Sequence, residues 1–129
     1  MKIKLWIVAL LSSTVSPGQN AVIDISSTNE PNEISICIDQ ENPNRLIAGA
    51  NIYSLFSSED SGLSWKRFEA SSTYGVWGDP VIIQDTAGSF YHFHLSNVPN
   101  GNWIDRIVCQ RSDDGGKTFN NGSFFGLDG

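Results

Sequence analysis

A chain of 129 residues has room for one domain at most, and its composition (40% hydrophobic, 17% charged, four Trp and seven Phe) is that of a globular protein, which excludes a largely disordered one. The formal charge of −6 argues against nucleic acid, or an anionic membrane surface, as a partner. It carries no information about a substrate.

At the N-terminus, Lys2 and Lys4 precede the apolar run Leu5-Trp6-Ile7-Val8-Ala9-Leu10-Leu11, and small and polar residues follow. That run is too short to cross a bilayer as a helix, and the order of segments is that of a signal peptide over residues 1–21. Ser16, Gly18 or Ala21 would precede the cleavage point, with Pro17 disfavouring a cut directly after Ser16. The alternative is a buried N-terminal strand or helix. No Cys stands between the apolar run and Ala21, so a lipid-modified anchor is not expected, and no second long apolar run appears. The expectation is a secreted, periplasmic or cell-surface protein with no membrane span in the mature chain. Loss of Lys2 and Lys4 with the leader takes the charge from −6 to −8.

Beyond the leader the sequence reads as short strands and turns, with no amphipathic helical period. Residues 34–39, 45–51, 52–57 and 64–69 form a first set of four strands, with turns at Asn42-Pro43-Asn44 and at 59–62. Residues 81–84, 89–96 and 105–112 form a second set, with a fourth strand starting at Lys117. Cys37 and Cys109 sit inside these strand-like runs, and two such cysteines read as buried free thiols rather than a disulfide framework.

The two sets are one unit repeated. Ser58-Glu59-Asp60-Ser61-Gly62-Leu63-Ser64-Trp65 matches Ser112-Asp113-Asp114-Gly115-Gly116-Lys117-Thr118-Phe119 at an offset of 54 residues. Upstream, residues 33–39 match residues 79–85 at an offset of 46, each an acidic residue, an apolar strand and then Asp. The second unit therefore carries an insertion of about eight residues, which the turn-rich segment 97–103 supplies. Four antiparallel strands repeating every 45–55 residues are the signature of propeller blades.

Within the matched octet the residue types suit a tight turn. Asp bonds nearby backbone N–H groups and Gly supplies positive φ, while Ser or Thr braces the turn from its side chain. Trp65 and Phe119 would each start the next strand and bury a large ring between blades. Ser58, Asp60, Gly62 and Trp65, with Ser112, Asp114, Gly116 and Phe119, are thus structural, and Asp60 and Asp114 are not read as acids of a reaction.

These octets resemble the Asp-box, or BNR, repeats of sialidases and related glycoside hydrolases. The segment from Asn32 to Asn51 is similar to that group's first blade, and Gly78-Asp79-Pro80-Val81 to its second-blade opening. The resemblance covers about residues 30–120. It implies an all-β fold of four-stranded antiparallel β-propeller blades: about two blades of a six-bladed ring, as a partial domain over residues 30–129 with blade one at 33–70 and blade two at 79–125. It also implies an exo-glycosidase acting on glycans, or else a non-catalytic Asp-box propeller that binds glycan or protein. Sialidases hold the substrate carboxylate with an arginine triad and use an Asp acid/base with a Tyr nucleophile paired to Glu. The first of those arginines opens the first inner strand, where this chain has Pro31-Asn32-Glu33-Ile34 and no Arg. The remaining groups would lie in further blades. Two blades leave a ring open, so the chain is expected to belong to a longer product, or else to complete its ring by oligomerising. By itself it is expected to be inactive.

Candidate functional residues follow from position. Glu33 and Asp79 each precede an inner strand, where a propeller faces its axis, and are the candidate catalytic pair. Two carboxylates there could bind sugar hydroxyls, bind a cation or act as acid and base; otherwise each caps a loop. Tyr74, Trp77 and Trp103, read as loop residues, are candidate sugar-stacking groups. His92 and His94 share one strand face and, lacking a third ligand, are read as packing residues. No metal or cofactor is expected. Arg106 and Arg111 are not placed to favour an anion site. Asn121-Gly122-Ser123 is a glycosylation acceptor if the source is eukaryotic.

Overall fold

The computed structural model describes residues 22–26, 31–99, 101 and 103–126. The leader read over 1–21, and Asn100 and Asn102 of the insertion, lie outside the described residues. The described chain is all-β. Sheet one contains β1 (Ser35–Ile38), β2 (Leu46–Ala50), β3 (Ser54–Ser58) and β4 (Lys66–Glu69). Sheet two contains β5 (Val81–Gln84), β6 (Phe90–Asn97), β7 (Trp103–Ser112) and β8 (Ser123–Gly126). Both are antiparallel meanders in sequence order, the form expected of two blades. Among the described residues there is no helix, and so none able to cross a membrane.

The register refines the repeat. Ile38 pairs Leu46 and Gln84 pairs Phe90, so the offset of 46 on the inner strands falls to 44 on the second strands. Leu46 pairs Ser58 and Phe90 pairs Ser112, which raises it to 54 on the third strands. The insertion is therefore ten residues rather than about eight, offset by a first turn two residues shorter. It extends the β6–β7 hairpin, with a register shift between Leu95 and Asn97. Asp39 and Asp85, the matched residues that end the inner strands, brace those first turns. Asp39 accepts the N–H groups of Glu41 and Asn42, and Asp85 those of Ala87 and Ser89.

The sheets pack face to face. From sheet one come Cys37, Ile47, Leu55 and Phe68, from sheet two Ile82 and Phe90, and from the connection between β7 and β8 Phe119. Burying such an aliphatic or aromatic side chain stabilises the fold by about 1.5–3 kcal/mol. The approach is close enough that a Cβ on Gly49 would stand 2.9 Å from that of Pro80. Inner strand also meets inner strand directly, the Ile82 N–H donating to Ser35 Oγ at 2.9 Å. On the far side of sheet one, Ala48, Ala50 and Phe56 are covered by Ile25 and Trp65.

Two expectations about strands need correction. The fourth strand of the second unit begins at Ser123, not Lys117. Asp114 holds the N–H groups of Lys117 and Thr118 in the turn, and Asn120 then pairs with Arg111 through both its backbone and its side chain. Gly122, at φ 88°, passes so near the Cys109 carbonyl that a Cβ would lie 2.8 Å from it, and only after it does the strand settle beside β7. Secondly, Trp103 is not a loop residue: it opens β7 opposite Asn97, because the insertion lengthens the hairpin. Trp65 and Phe119 take equivalent places in the repeat: Phe119 fills the space between the two sheets, and Trp65 packs on the face of sheet one turned away from sheet two.

Candidate functional site

Glu33 and Asp79 occupy matching places, and the backbone shows it: both have positive φ, 52° and 51°, just before β1 and β5. Such a conformation is uncommon outside glycine, and here it turns the chain into each inner strand. One side chain joins these two turns. Asn51, at the end of β2, donates from Nδ2 to Glu33 Oε2 and to Asn32 Oδ1, the latter at 3.1 Å. Its Oδ1 accepts the Asp79 N–H at 2.7 Å. Gly78 is buried directly against Asn51 Oδ1, leaving no space for a Cβ. Both carboxylate residues are exposed.

Of the three candidate aromatics the structure brings two together. Trp77 and Trp103 meet edge to face, with ring centroids 5.4 Å apart at 81°. Trp77 is held by its backbone, its N–H donating to the Leu95 carbonyl, while the Leu95 N–H donates to Gly78. The pair therefore stands on the hairpin extension beside Asp79. Trp103 keeps 59% of its surface exposed. Tyr74 is placed apart from them, edge to face with Phe124 at 5.0 Å, where the Arg106 guanidinium also covers the Phe124 ring at 4.6 Å.

The two matched octets, box one (residues 58–65) and box two (residues 112–119), lie at the other end of the sheets, roughly 15 Å away for strands of this length at about 3.3 Å per residue. In the first, Asp60 accepts from Ser58 Oγ at 2.8 Å, the Ser64 N–H at 2.9 Å and Ser64 Oγ at 2.6 Å. Asp114 accepts from Ser112 Oγ at 2.7 Å, the Lys117 and Thr118 N–H groups at 3.0 Å and Thr118 Oγ1 at 2.6 Å. Bonds led by that from Ser64 Oγ lower the Asp60 pKa. Desolvation pushes Asp114 upward, but its hydrogen bonds prevail and bring it down to about 2. Both are ionised turn braces, each with both carboxylate oxygens engaged by its own turn. A cavity of about 400 Å³ near the first box is lined by residues including Glu59, Trp65 and Lys117, far from Glu33 and Asp79.

His92 and His94 are buried, with rings 4.9 Å apart. Burial, and secondarily the neighbouring His94, depress the His92 pKa to about 4; burial lowers that of His94 as well. Two neutral imidazoles packed in the sheet are the result, and among the described residues no group of three or more His, Cys, Asp or Glu is placed to hold a metal ion. Arg106 pairs with Asp105 and Arg111 with Asp113. The Asn121 side chain is occupied on both sides, its Oδ1 accepting the Thr73 N–H and its Nδ2 donating to Thr73 Oγ1.

Asn51 and Asn32 are the members of this site that sequence reasoning missed. The available signal was a polar residue ending the buried strand Leu46–Ala50, immediately before a turn. No family model, curated protein or solved structure matches the chain.

Proposed function

We propose that the chain is part of an exported, sialidase-like Asp-box propeller that engages glycans at the inner-strand end of its sheets. The observation that supports this most is the Asn51 bridge, which joins the turns at Glu33 and Asp79 beside the Trp77–Trp103 pair. Exposed indole offers a stacking surface to the apolar face of a sugar ring, and carboxylate and amide groups accept and donate to its hydroxyls. The groups gathered there are Asn32, Glu33, Asn51 and Asp79, with no cation among them, so a hydroxyl-rich neutral sugar suits the site better than one carrying a carboxylate. Hydrolysis in such a protein would use Asp79 and Glu33 together with groups from further blades.

A second reading, a propeller that binds glycan without cleaving it, is favoured by one feature: where sialidases open the first inner strand with Arg, this chain has Glu33, engaged by Asn51. Intrinsic tryptophan fluorescence under titration with neutral and sialylated oligosaccharides tests the glycan reading. Saturable change with neutral sugars, abolished in Trp103→Ala, is expected, and no response to any oligosaccharide would refute it. Release of product from aryl glycosides by this chain as a monomer would refute the need for further blades.

A further inference from the structure

The faces of the two sheets that do not meet each other are related by the repeat. On sheet one, Cys37, Ile47 and Leu55 face sheet two and are covered by it. Their counterparts in the register of sheet two are Ile83, Tyr91 and Cys109: Cys37 pairs Ile47 as Ile83 pairs Tyr91, and Leu55 pairs Gly49 as Cys109 pairs Phe93. These lie on the far face of sheet two, where Val81, Ile83, Ile107 and Phe125 are 49, 46, 48 and 83% exposed. The reverse holds on sheet one. Ile82 and Phe90, which press on sheet one, correspond to Ile36 and Leu46 on its far face. Ile25 covers only the part of that face over β2 and β3; Ile34, just before β1, and Ile36 and Ile38 on it remain 61, 52 and 55% exposed. The turn aromatics follow the same rule. Phe119 fills the space between the sheets, and its counterpart Trp65 stands on the open face.

Among the described residues the molecule thus carries one face of each kind that its own internal interface uses, left open at opposite sides. We propose that the far face of sheet two docks the far face of sheet one of a second copy of this chain, repeating between copies the packing that joins the two sheets within one. The contact is heterologous, so copies add head to tail and either close a ring or extend. With two sheets per copy, rings of roughly four to eight blades take two to four copies. The apolar side chains exposed on both faces supply the driving force. This inference is independent of any glycan, and the two readings fail separately: self-association is read without ligand.

Sedimentation velocity on the whole chain, from micromolar to near-millimolar concentration, tests it with two charge variants. Ile83→Lys blocks the far face of sheet two and Ile36→Lys that of sheet one; both positions are about half exposed, so both variants are expected to fold. The wild-type chain is expected to associate reversibly and each variant to be monomeric. A mixture of the two variants, each bringing the face the other lacks, is expected to form a one-to-one dimer and nothing larger. Ile107→Glu provides a second block on sheet two should Ile83→Lys fold poorly. A wild-type chain that stays monomeric throughout overturns the proposal. So do single variants that still dimerise, which would mean an isologous contact, or a mixture that remains monomeric.

Discussion

The two boxes share a skeleton and nearly the same hydrogen bonds, yet their surroundings differ. Box two rests on the neighbouring sheet. A Cβ on Gly115 would stand 2.6 Å from the Arg45 guanidinium, and one on Gly116 would run into Ile47, which is wholly buried. Among the described residues no sheet lies beneath box one. It carries Ser61 where box two has Gly115, still at positive φ (61°), tied to Asn44 by its N–H and its hydroxyl. A Cβ on Gly62 would find only its own Trp65, at 3.7 Å. The turn itself thus requires one glycine, Gly62 or Gly116, for its backbone angle; the second glycine of box two answers to packing. The same motif is a local device in sheet one and part of the core in sheet two.

The sharpest way to break this comparison is to add a methyl to each matched glycine. Gly116→Ala meets both the left-handed strain of about 1–2 kcal/mol and overpacking of about 1–3 kcal/mol against Ile47. Gly62→Ala meets the strain alone. Urea unfolding should therefore show Gly116→Ala as the more destabilised by about 2 kcal/mol, and equal losses would mean the packing difference is inconsequential.

Acid should also separate the sheets, because His92 and His94 of sheet two correspond to Ala48 and Ala50 of sheet one. His92 is neutral in the fold down to about pH 4, while the unfolded chain takes up the proton from about 6.5. Its contribution is therefore complete above pH 6.5 and lost as pH falls to 4, roughly 3 kcal/mol for a shift of this size. Urea midpoints followed against pH should decline across that window, and His92→Gln should flatten the decline. An unchanged slope in the variant would contradict the burial of an uncharged imidazole.

Below that window the boxes themselves titrate. Asp114 is held at about 2 against an ordinary 3.8, so its stabilisation is present above pH 4 and is lost as pH falls toward 2. Asp114→Asn should reduce the pH dependence below 4, leaving the His92 window intact. The smallest expected effect is at the junction of the sheets. Asn121→Ala removes two bonds to Thr73 in the connecting segment and should cost about 1 kcal/mol in urea unfolding. No loss at all would show that this latch does not hold the sheets in place.

Much of this was legible in the chain. Ser-x-Asp-x-Gly-x-Ser/Thr followed by an aromatic specifies its turn through bonds that span at most four residues, so its geometry follows from residue order alone. The pairing of Glu33 with Asp79 was also legible, since a repeat places equivalent residues at equivalent points. Asn51 was not, because its bonds reach 18 residues back to Glu33 and 28 forward to Asp79. Nor was the start of β8, which depends on how Asn120 and Gly122 pass the end of β7. Trp65 and Phe119 look interchangeable in sequence, yet only Phe119 lies between the sheets.

By itself, then, the sequence determined the all-β class, the two four-stranded units, their register at the inner strands and the service of the two octets as turns, because short-range hydrogen bonding and the alternation of side chains act over neighbouring residues. Only the tertiary structure decided which face of each sheet is covered, which tryptophans meet and which side chain ties Glu33 to Asp79. Those outcomes depend on the approach of segments far apart in the chain, and no local preference encodes it.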